Sequence, residues 1–94
     1  MNILELIPTG KANAISRKDL AAATGLDDRS MREAIEQLRH NGHLICSKAT
    51  GGYYQPDNIE DIEEQYRREI KRAKAILHRL TPMRHVLKQE GRIV

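Results

Sequence analysis

Phenylalanine and tryptophan are absent from this chain, and three tyrosines are its whole aromatic content. A hydrophobic core must therefore be built mainly from Ile, Leu, Met and Ala. The 94 residues are enough for one domain, with room for an appendage. A chain of this size buries only about 60–65% of its unfolded surface, which favours a compact helical module of modest stability.

Disulfides and membrane spans are missing as well. Cys46 is the only cysteine and cannot form an intramolecular disulfide, which is typical of a protein in a reducing cytoplasm. No apolar run approaches the length of a membrane span, and the segment from Met1 to Pro8 is too short and too acidic for a signal peptide. These features predict a soluble, cytoplasmic protein without a membrane partner.

Charge is nearly balanced overall but unevenly distributed along the chain. The formal net charge of +3 is weak support for nucleic-acid binding by itself. Five of the eight residues from Asp57 to Glu64 are acidic, whereas the stretch from Arg67 to Arg92 holds nine basic residues against Glu69 and Glu90. This acidic-then-basic asymmetry lies entirely in the C-terminal part of the chain.

Two consecutive helices are predicted between Ser16 and Gly42. Ser16 is a suitable N-cap with the acidic Asp19 three residues later, and Gly25 suits the left-handed residue that closes a helix. Asp27 is an N-cap for the second helix. The apolar positions of that helix recur at helical spacing and predict an inward face made of Met31, Ala34, Ile35 and Leu38. An ordinary helical hairpin would show the same pattern, so the helices alone do not indicate a function.

A β-hairpin is predicted directly after the second helix. Leu44 to Ser47 is a short strand-like run, Lys48 to Gly52 is a turn with a flexible tip, and Tyr53 to Gln55 is the returning strand. Pro56 stops the pairing. Ala14 and Ile15 are expected to add one short strand to the same sheet.

A long helix is predicted from Asp57 onward, with Asp57 and Glu60 as its capping pair and a break or kink at Thr81-Pro82. Its apolar residues recur in steps of three and four, which average the 3.5-residue period of a coiled-coil seam. We therefore divide the chain into a domain at 1–56 and a C-terminal helical dimerisation segment at 57–94, which contacts a second copy through Ile59, Ile62, Tyr66, Ile70, Ala73, Leu77 and Leu80.

The sequence contains little that indicates a catalytic or metal site. His40, His43 and Cys46 are spaced three apart, but they straddle a predicted helix end and a strand and have no fourth ligand nearby, so no metal site is expected. Cys46 fits a small buried residue of the strand better. Glu63 and Glu64 are neighbours on a helix and do not face each other, so they are not an acid/base pair. We expect neither enzyme activity nor a cofactor.

The order of helix, glycine turn, second helix and glycine-tipped hairpin is typical of proteins that place one helix in the DNA major groove. From about Ser16 to Pro56 the chain resembles the winged helix-turn-helix superfamily, and in particular small bacterial and phage-encoded members. The fold class expected is mainly α with a small β-hairpin, a winged helix-turn-helix followed by a long C-terminal helix. The residues that carry the resemblance are Ala21, Gly25, Met31, Arg32, Ile35, Leu38, Gly42, Ile45, Gly52, Tyr53 and Tyr54.

This resemblance implies sequence-dependent binding of double-stranded DNA by a small transcriptional regulator or a replication or repression factor. The second helix would read bases, and the wing would touch the backbone. The alternative is a protein-interaction adaptor that does not bind DNA, because winged helices also serve that purpose and because Glu33 and Glu36 would repel phosphate. The candidate DNA-binding residues are Ser16, Arg17, Lys18, Asp28, Arg29, Ser30, Arg32, Glu33, Lys48, Thr50 and Gly51.

Overall fold

The mainly α fold class is confirmed by a computed structural model, which describes residues 2–92. That part of the chain is 65% helical, with three α-helices, a three-stranded antiparallel sheet and a long C-terminal helix. Short 3-10 turns occupy Ile3–Leu6 and Lys11–Asn13. The other elements in chain order are β1 (Ile15–Ser16), α1 (Arg17–Thr24), α2 (Asp28–His40), β2 (Cys46–Lys48), β3 (Gly52–Tyr54) and α3 (Ile59–Gln89).

The caps of α1 and α2 are the ones predicted. The Ser16 hydroxyl accepts a hydrogen bond from the backbone N–H of Asp19 at 3.0 Å, and α1 ends at Gly25 with a φ of 73°. The carboxylate of Asp27 accepts the N–H of Ser30 at 2.7 Å. This bond lowers the pKa of Asp27, because it stabilises the ionised carboxylate. Both helix starts are therefore determined by local side-chain chemistry.

The core is mainly aliphatic, as the absence of Phe and Trp requires. Leu20 from α1 and both Met31 and Ile35 from α2 are essentially inaccessible to water, and Ile45 and Tyr53 join them from the hairpin. Burying a side chain of this size contributes about 1.5–3 kcal/mol, so these few residues carry most of the packing energy. Ile7 completes the same cluster. Ile7 directly follows the 3-10 turn at Ile3–Leu6, whose Ile3, Leu4 and Leu6 pack against the same cluster.

The sheet has the order β1-β3-β2, so the N-terminal strand pairs with the returning strand of the hairpin. Ile15 lies opposite Tyr53 in this register, as expected for a third strand near Ala14 and Ile15. Gly52 is required here, because a Cβ at this position would lie 3.1 Å from the Ile15 carbonyl oxygen. The predicted first hairpin strand starts two residues too early, since pairing begins at Cys46 and Leu44 remains exposed.

The start of α3 differs from the prediction. The N-cap is Asn58, whose side-chain oxygen accepts the N–H of Asp61 at 2.8 Å, while Asp57 accepts a hydrogen bond from the Asn58 side chain. The helix continues past Pro82 to Gln89, so of the break or kink predicted at Thr81-Pro82 the break does not occur. This part of α3 is exposed, so water can hydrate the carbonyl that loses its helical partner at the proline.

Only the first turns of α3 pack on the rest of the protein. The Gln65 side chain accepts the N–H of Ser47 at 2.9 Å, and Arg68 donates to the Ser47 carbonyl at 2.8 Å. From Glu69 to Arg92 every residue is exposed. The radius of gyration is 17.1 Å, whereas about 12 Å is typical of a compact chain of this length. α3 therefore projects from the domain with a free apolar stripe. Within residues 2–92, no helix combines the length and the apolar character that crossing a membrane requires.

Candidate nucleic-acid interface

The outward face of α2 carries two arginines near its start, each held by a carboxylate of the same helix. Arg29 Nε lies 3.2 Å from Glu33, and Arg32 Nε lies 3.1 Å from Asp28. Both are i,i+4 ion pairs between exposed side chains. Such pairs contribute only about 0.3–0.5 kcal/mol, so a phosphate or a base edge can replace the carboxylate at little cost. The two carboxylates therefore orient the arginines without immobilising them.

The start of α1 presents a second basic position beside this face. Arg17 and Lys18 are exposed, and no carboxylate among residues 2–92 lies within 4.0 Å of either. The Ser16 hydroxyl accepts a hydrogen bond from the backbone N–H of Asp19. It can still donate its own proton to a ligand. Arg17 and Lys18 are thus the free cations of this element.

The wing turn, which we define as Lys48 to Gly51, lies next to the start of α1. The Gly51 N–H donates to the Lys48 carbonyl at 2.9 Å, and the Gly51 φ of 96° is a conformation that glycine adopts without strain. The Gly51 carbonyl accepts the N–H of Arg17 at 3.4 Å. Thr50 is exposed at the turn, whereas Lys48 is the last residue of β2 and is half-buried. The turn and the start of α1 therefore form one continuous surface.

An open groove of about 560 Å³ runs between α2, the sheet and α3. We call it the arginine groove, because arginines from α1, α2 and α3 line it. Glu33 and Glu36 are the carboxylates of the lining. Among the described residues, the lining contains none of Lys18, Lys48 and Thr50, so these lie beside the groove and not in it. Its arginines are Arg17, Arg29, Arg32, Arg39 and Arg72.

Arg39 belongs to the groove as a structural residue. Its Nε and Nη2 donate to the Ile45 carbonyl at 3.0 and 2.8 Å, and Nη2 also donates to Ser47 Oγ at 3.0 Å. Glu36 lies 3.6 Å from Nη1. These contacts tie the end of α2 to β2 and fix one wall of the groove. Arg39 is therefore not a free ligand-binding cation.

Arg72, like Arg39, lines the groove but is not among the candidate DNA-binding residues that the sequence predicted. It lies on α3, outside the segment that resembles a winged helix, and sequence reasoning placed it only in a basic stretch. A usable signal exists, because Gln65, Arg68 and Arg72 recur in steps of three and four on one helix face. The first two bind Ser47, so the third necessarily points along the sheet toward the groove.

Cys46 is buried in β2, as predicted for a structural cysteine. Burial raises the pKa of its thiol, so it is protonated at neutral pH and is neither a nucleophile nor a metal ligand in this state. Burial also raises the pKa of Tyr54 to about 12, and the nearby Cys46, Asp61 and Glu64 add to the shift. Across residues 2–92, no group of three or more His, Cys, Asp or Glu side chains is placed to hold a metal ion.

Comparison with protein-family models, with curated proteins and with solved structures finds no match to this chain. The function is therefore inferred from the geometry of the arginine groove and the chemistry of its residues.

Proposed function

We propose that this protein binds double-stranded DNA, with α2 entering the major groove and the wing turn and the start of α1 contacting the backbone. The observation that carries the proposal is the arginine groove. Arginines from three different helices line one open cleft, and among residues 2–92 only Arg39 of the five donates to a buried backbone carbonyl. Arginine matches both partners that a duplex offers, since it bonds phosphate oxygens and the O6 and N7 atoms of guanine bidentately.

The roles within this surface follow from position. Arg29 and Arg32 lie in the first two turns of α2, with Ser30 between them, and are placed to reach base edges together with the carboxylates that orient them. Arg17 and Lys18 lie beside the wing turn and suit phosphate oxygens. Lys48, Thr50 and Gly51 extend the same contact along the backbone.

The biological role proposed is that of a small cytoplasmic regulator of transcription or a replication or repression factor, of the kind that the winged-helix resemblance implies. A homodimer would hold two such domains, joined by the stripe that runs from Ile59 to Leu80 on α3. Most of that stripe is exposed in the single chain, which supports a partner for it. Two copies would present two α2 helices to half-sites about one DNA turn apart.

The second candidate is a protein-interaction adaptor that does not bind DNA. The exposed apolar residues in the second half of α3, such as Leu77 and Met83, favour it, because a partner protein could also cover them. The two candidates differ in salt dependence. Only binding to DNA phosphates releases condensed counterions and makes the affinity fall steeply as salt rises.

The test is the affinity of the full-length chain for duplex DNA from the neighbourhood of its own gene, measured by fluorescence anisotropy from about 50 to 200 mM salt. If Arg17 and Arg72 each neutralise one phosphate per domain, alanine at either position should make the slope of log K against log salt shallower by about 0.9 for each domain bound, or about 1.8 for the dimer. A slope near zero for the native chain would overturn the proposal in favour of the adaptor.

Arg79→Ala is the matched control. Arg79 is seven residues beyond Arg72 on the same side of α3, is exposed, and is about 10 Å further from the domain. Its removal takes away the same charge without touching the groove. An equal effect of Arg72→Ala and Arg79→Ala would assign the binding to general charge and not to the arginine groove.

A further inference from the structure

The second half of α3 carries an apolar face that is too wide for a free helix. Ile76, Leu77, Leu80, Met83 and Leu87 are all 37–64% exposed, although they lie within three turns of helix. At 100° per residue these five side chains span an arc of about 120°, which is the width of a stripe that normally faces a core. The domain covers only the first turns of α3, so this face needs another partner.

The spacing identifies the kind of partner. Every seventh residue from the start of α3 is apolar, and the residue three positions further on is apolar in three of the four cases within α3. These are the a and d positions of a heptad repeat, whose preferred partner is another helix. The a positions are Ile59, Tyr66, Ala73, Leu80 and Leu87, and the d positions are Ile62, Glu69, Ile76 and Met83, so that Ile70 and Leu77 fall at the e positions that flank this seam.

The exception at Glu69 is explained by the domain itself. Glu69 lies 4.0 Å from Arg39, and Ile62 is half-buried against the hairpin, so the early d positions contact their own chain. Ile59 and Tyr66 point elsewhere, with 69% and 65% of their surface exposed. The a series is thus free along the whole helix, while the d series is free only in the second half.

We propose that α3 pairs with α3 of a second copy in an antiparallel orientation, with its centre close to Ala73. This inference rests on the homodimer of the proposed function and gives it an orientation and a register. Tyr66 of one copy lies opposite Met83 of the other, so the free second half of each helix covers the free a positions in the first half of its partner. The small side chain of Ala73 allows close approach near the two-fold axis.

Charge selects the antiparallel orientation. The first turns of α3 are acidic, with Glu60 and Glu63 on the exposed side, and the last turns are basic, with Arg84 and Lys88. In the antiparallel register Arg84 approaches Glu63, because both lie at e positions that flank the seam, and Glu63 also pairs with Arg67 of its own helix. A parallel pair would instead place acidic turns beside acidic turns and basic turns beside basic turns, which is unfavourable.

The register also sets the distance between the two domains of the dimer, which can be compared with the spacing of DNA half-sites. Each domain packs on α3 around Gln65, and the antiparallel partner places its own domain about 28 Å further along the helix axis. This is close to the roughly 34 Å between half-sites one turn apart on B-DNA.

Disulfide trapping tests the orientation without using DNA. Tyr66→Cys and Met83→Cys chains, oxidised mildly in separate tubes, should give no covalent dimer, whereas an equimolar mixture should give one that joins residues 66 and 83 by peptide mapping. A mixture of Arg67→Cys and His85→Cys, which lie off the seam, is the control and should stay uncrosslinked. The native chain is the blank, because Cys46 is buried.

Two outcomes would overturn the proposed pairing, and a third would overturn the DNA function alone. Efficient self-crosslinking of Tyr66→Cys alone would show a parallel pair, and a full-length chain that remains monomeric by light scattering at micromolar concentration would show that another partner covers the face. Failure of duplex binding by the crosslinked dimer would instead overturn the DNA function and leave the pairing intact.

Charge reversal at Glu63 and Arg84 is the second test, since these substitutions leave the apolar residues of the seam unchanged. Glu63→Arg and Arg84→Glu should each weaken dimerisation roughly tenfold by sedimentation, because a symmetric dimer contains each contact twice. The double variant should restore the native dissociation constant to within about threefold. The two residues are about 30 Å apart within one chain, so rescue would have to act between chains. No rescue would contradict the proposed register.

Discussion

Replacing Arg39 by alanine should destabilise the whole domain, because this side chain joins the end of α2 to the sheet. Its guanidinium makes three hydrogen bonds, two to the Ile45 carbonyl at 3.0 and 2.8 Å and one to Ser47 Oγ at 3.0 Å. Glu36 and Glu69 lie 3.6 and 4.0 Å from its Nη1. The side chain is only 22% exposed, so these contacts are partly shielded from water.

The expected loss can be bounded from these contacts. Hydrogen bonds that involve a charged group contribute about 1.5–3 kcal/mol each. The three bonds share one guanidinium, and water will enter the space that truncation leaves beside Ile45, so the contributions do not add fully. We therefore expect Arg39→Ala to lower the free energy of unfolding by about 2–4 kcal/mol. For a chain of this size that corresponds to a fall in Tm of roughly 10–20 °C.

Urea unfolding followed by circular dichroism measures this change. The protein concentration must be the same for all variants, because dimerisation makes the apparent stability concentration-dependent. Arg79→Ala removes an exposed arginine and should stay within about 0.5 kcal/mol of the native chain. Arg39→Lys keeps the charge but loses the paired hydrogen bonds to the Ile45 carbonyl, so its loss of unfolding free energy should lie between those of Arg39→Ala and Arg79→Ala. A loss below about 1 kcal/mol for Arg39→Ala would refute the reasoning.

Three further outcomes are expected. Alanine at Arg29 or Arg32 should each cost roughly 1–3 kcal/mol of specific duplex affinity with the circular dichroism spectrum unchanged, and full affinity in the double variant would exclude base reading by α2. Lys48→Ala should weaken binding equally for specific and random duplexes and lower the salt slope by about one unit, and an unchanged slope would remove the wing from the contact. Tyr54 has its pKa raised from 10.0 to about 12 in the folded state, so its contribution to stability is complete below pH 10 and is lost as the pH rises toward 12. Urea unfolding in this range should show that loss for the native chain and less of it for Tyr54→Phe, and equal slopes for both chains would assign the alkaline loss to other groups.

Local chemistry made part of this structure predictable. Ser16, Gly25 and Asp27 cap helices through hydrogen bonds to residues three or four positions away. The helix ends that depend on them therefore follow from the sequence. Asp57 and Asn58 show the limit of this reasoning, because both are good caps at adjacent positions and propensity alone does not choose between them. Pro82 shows another limit. The free energy that a proline costs inside a helix depends on whether water can reach the backbone carbonyl that loses its hydrogen bond.

The candidate site depends on tertiary contacts, which pattern reasoning does not contain. Arg29 and Arg32 were predicted from their place on the outer face of α2. Arg72 reaches the groove because α3 crosses β2 at Ser47, a contact between residues far apart in the sequence. The hydrophobic pattern indicated that α3 is amphipathic, but it did not show that the domain covers only its first turns.

Arg72 connects the two proposals physically. It lines the arginine groove and is the immediate neighbour of Ala73, the proposed centre of the helix pair. In the antiparallel register the Arg72 side chains of both copies come within about two helical turns of each other, so they repel when no anion is present. A phosphate backbone passing over the centre would neutralise both. Duplex binding and dimerisation are then linked equilibria. By whatever factor dimerisation raises the affinity for a duplex that engages Arg72, that duplex raises the dimerisation constant by the same factor.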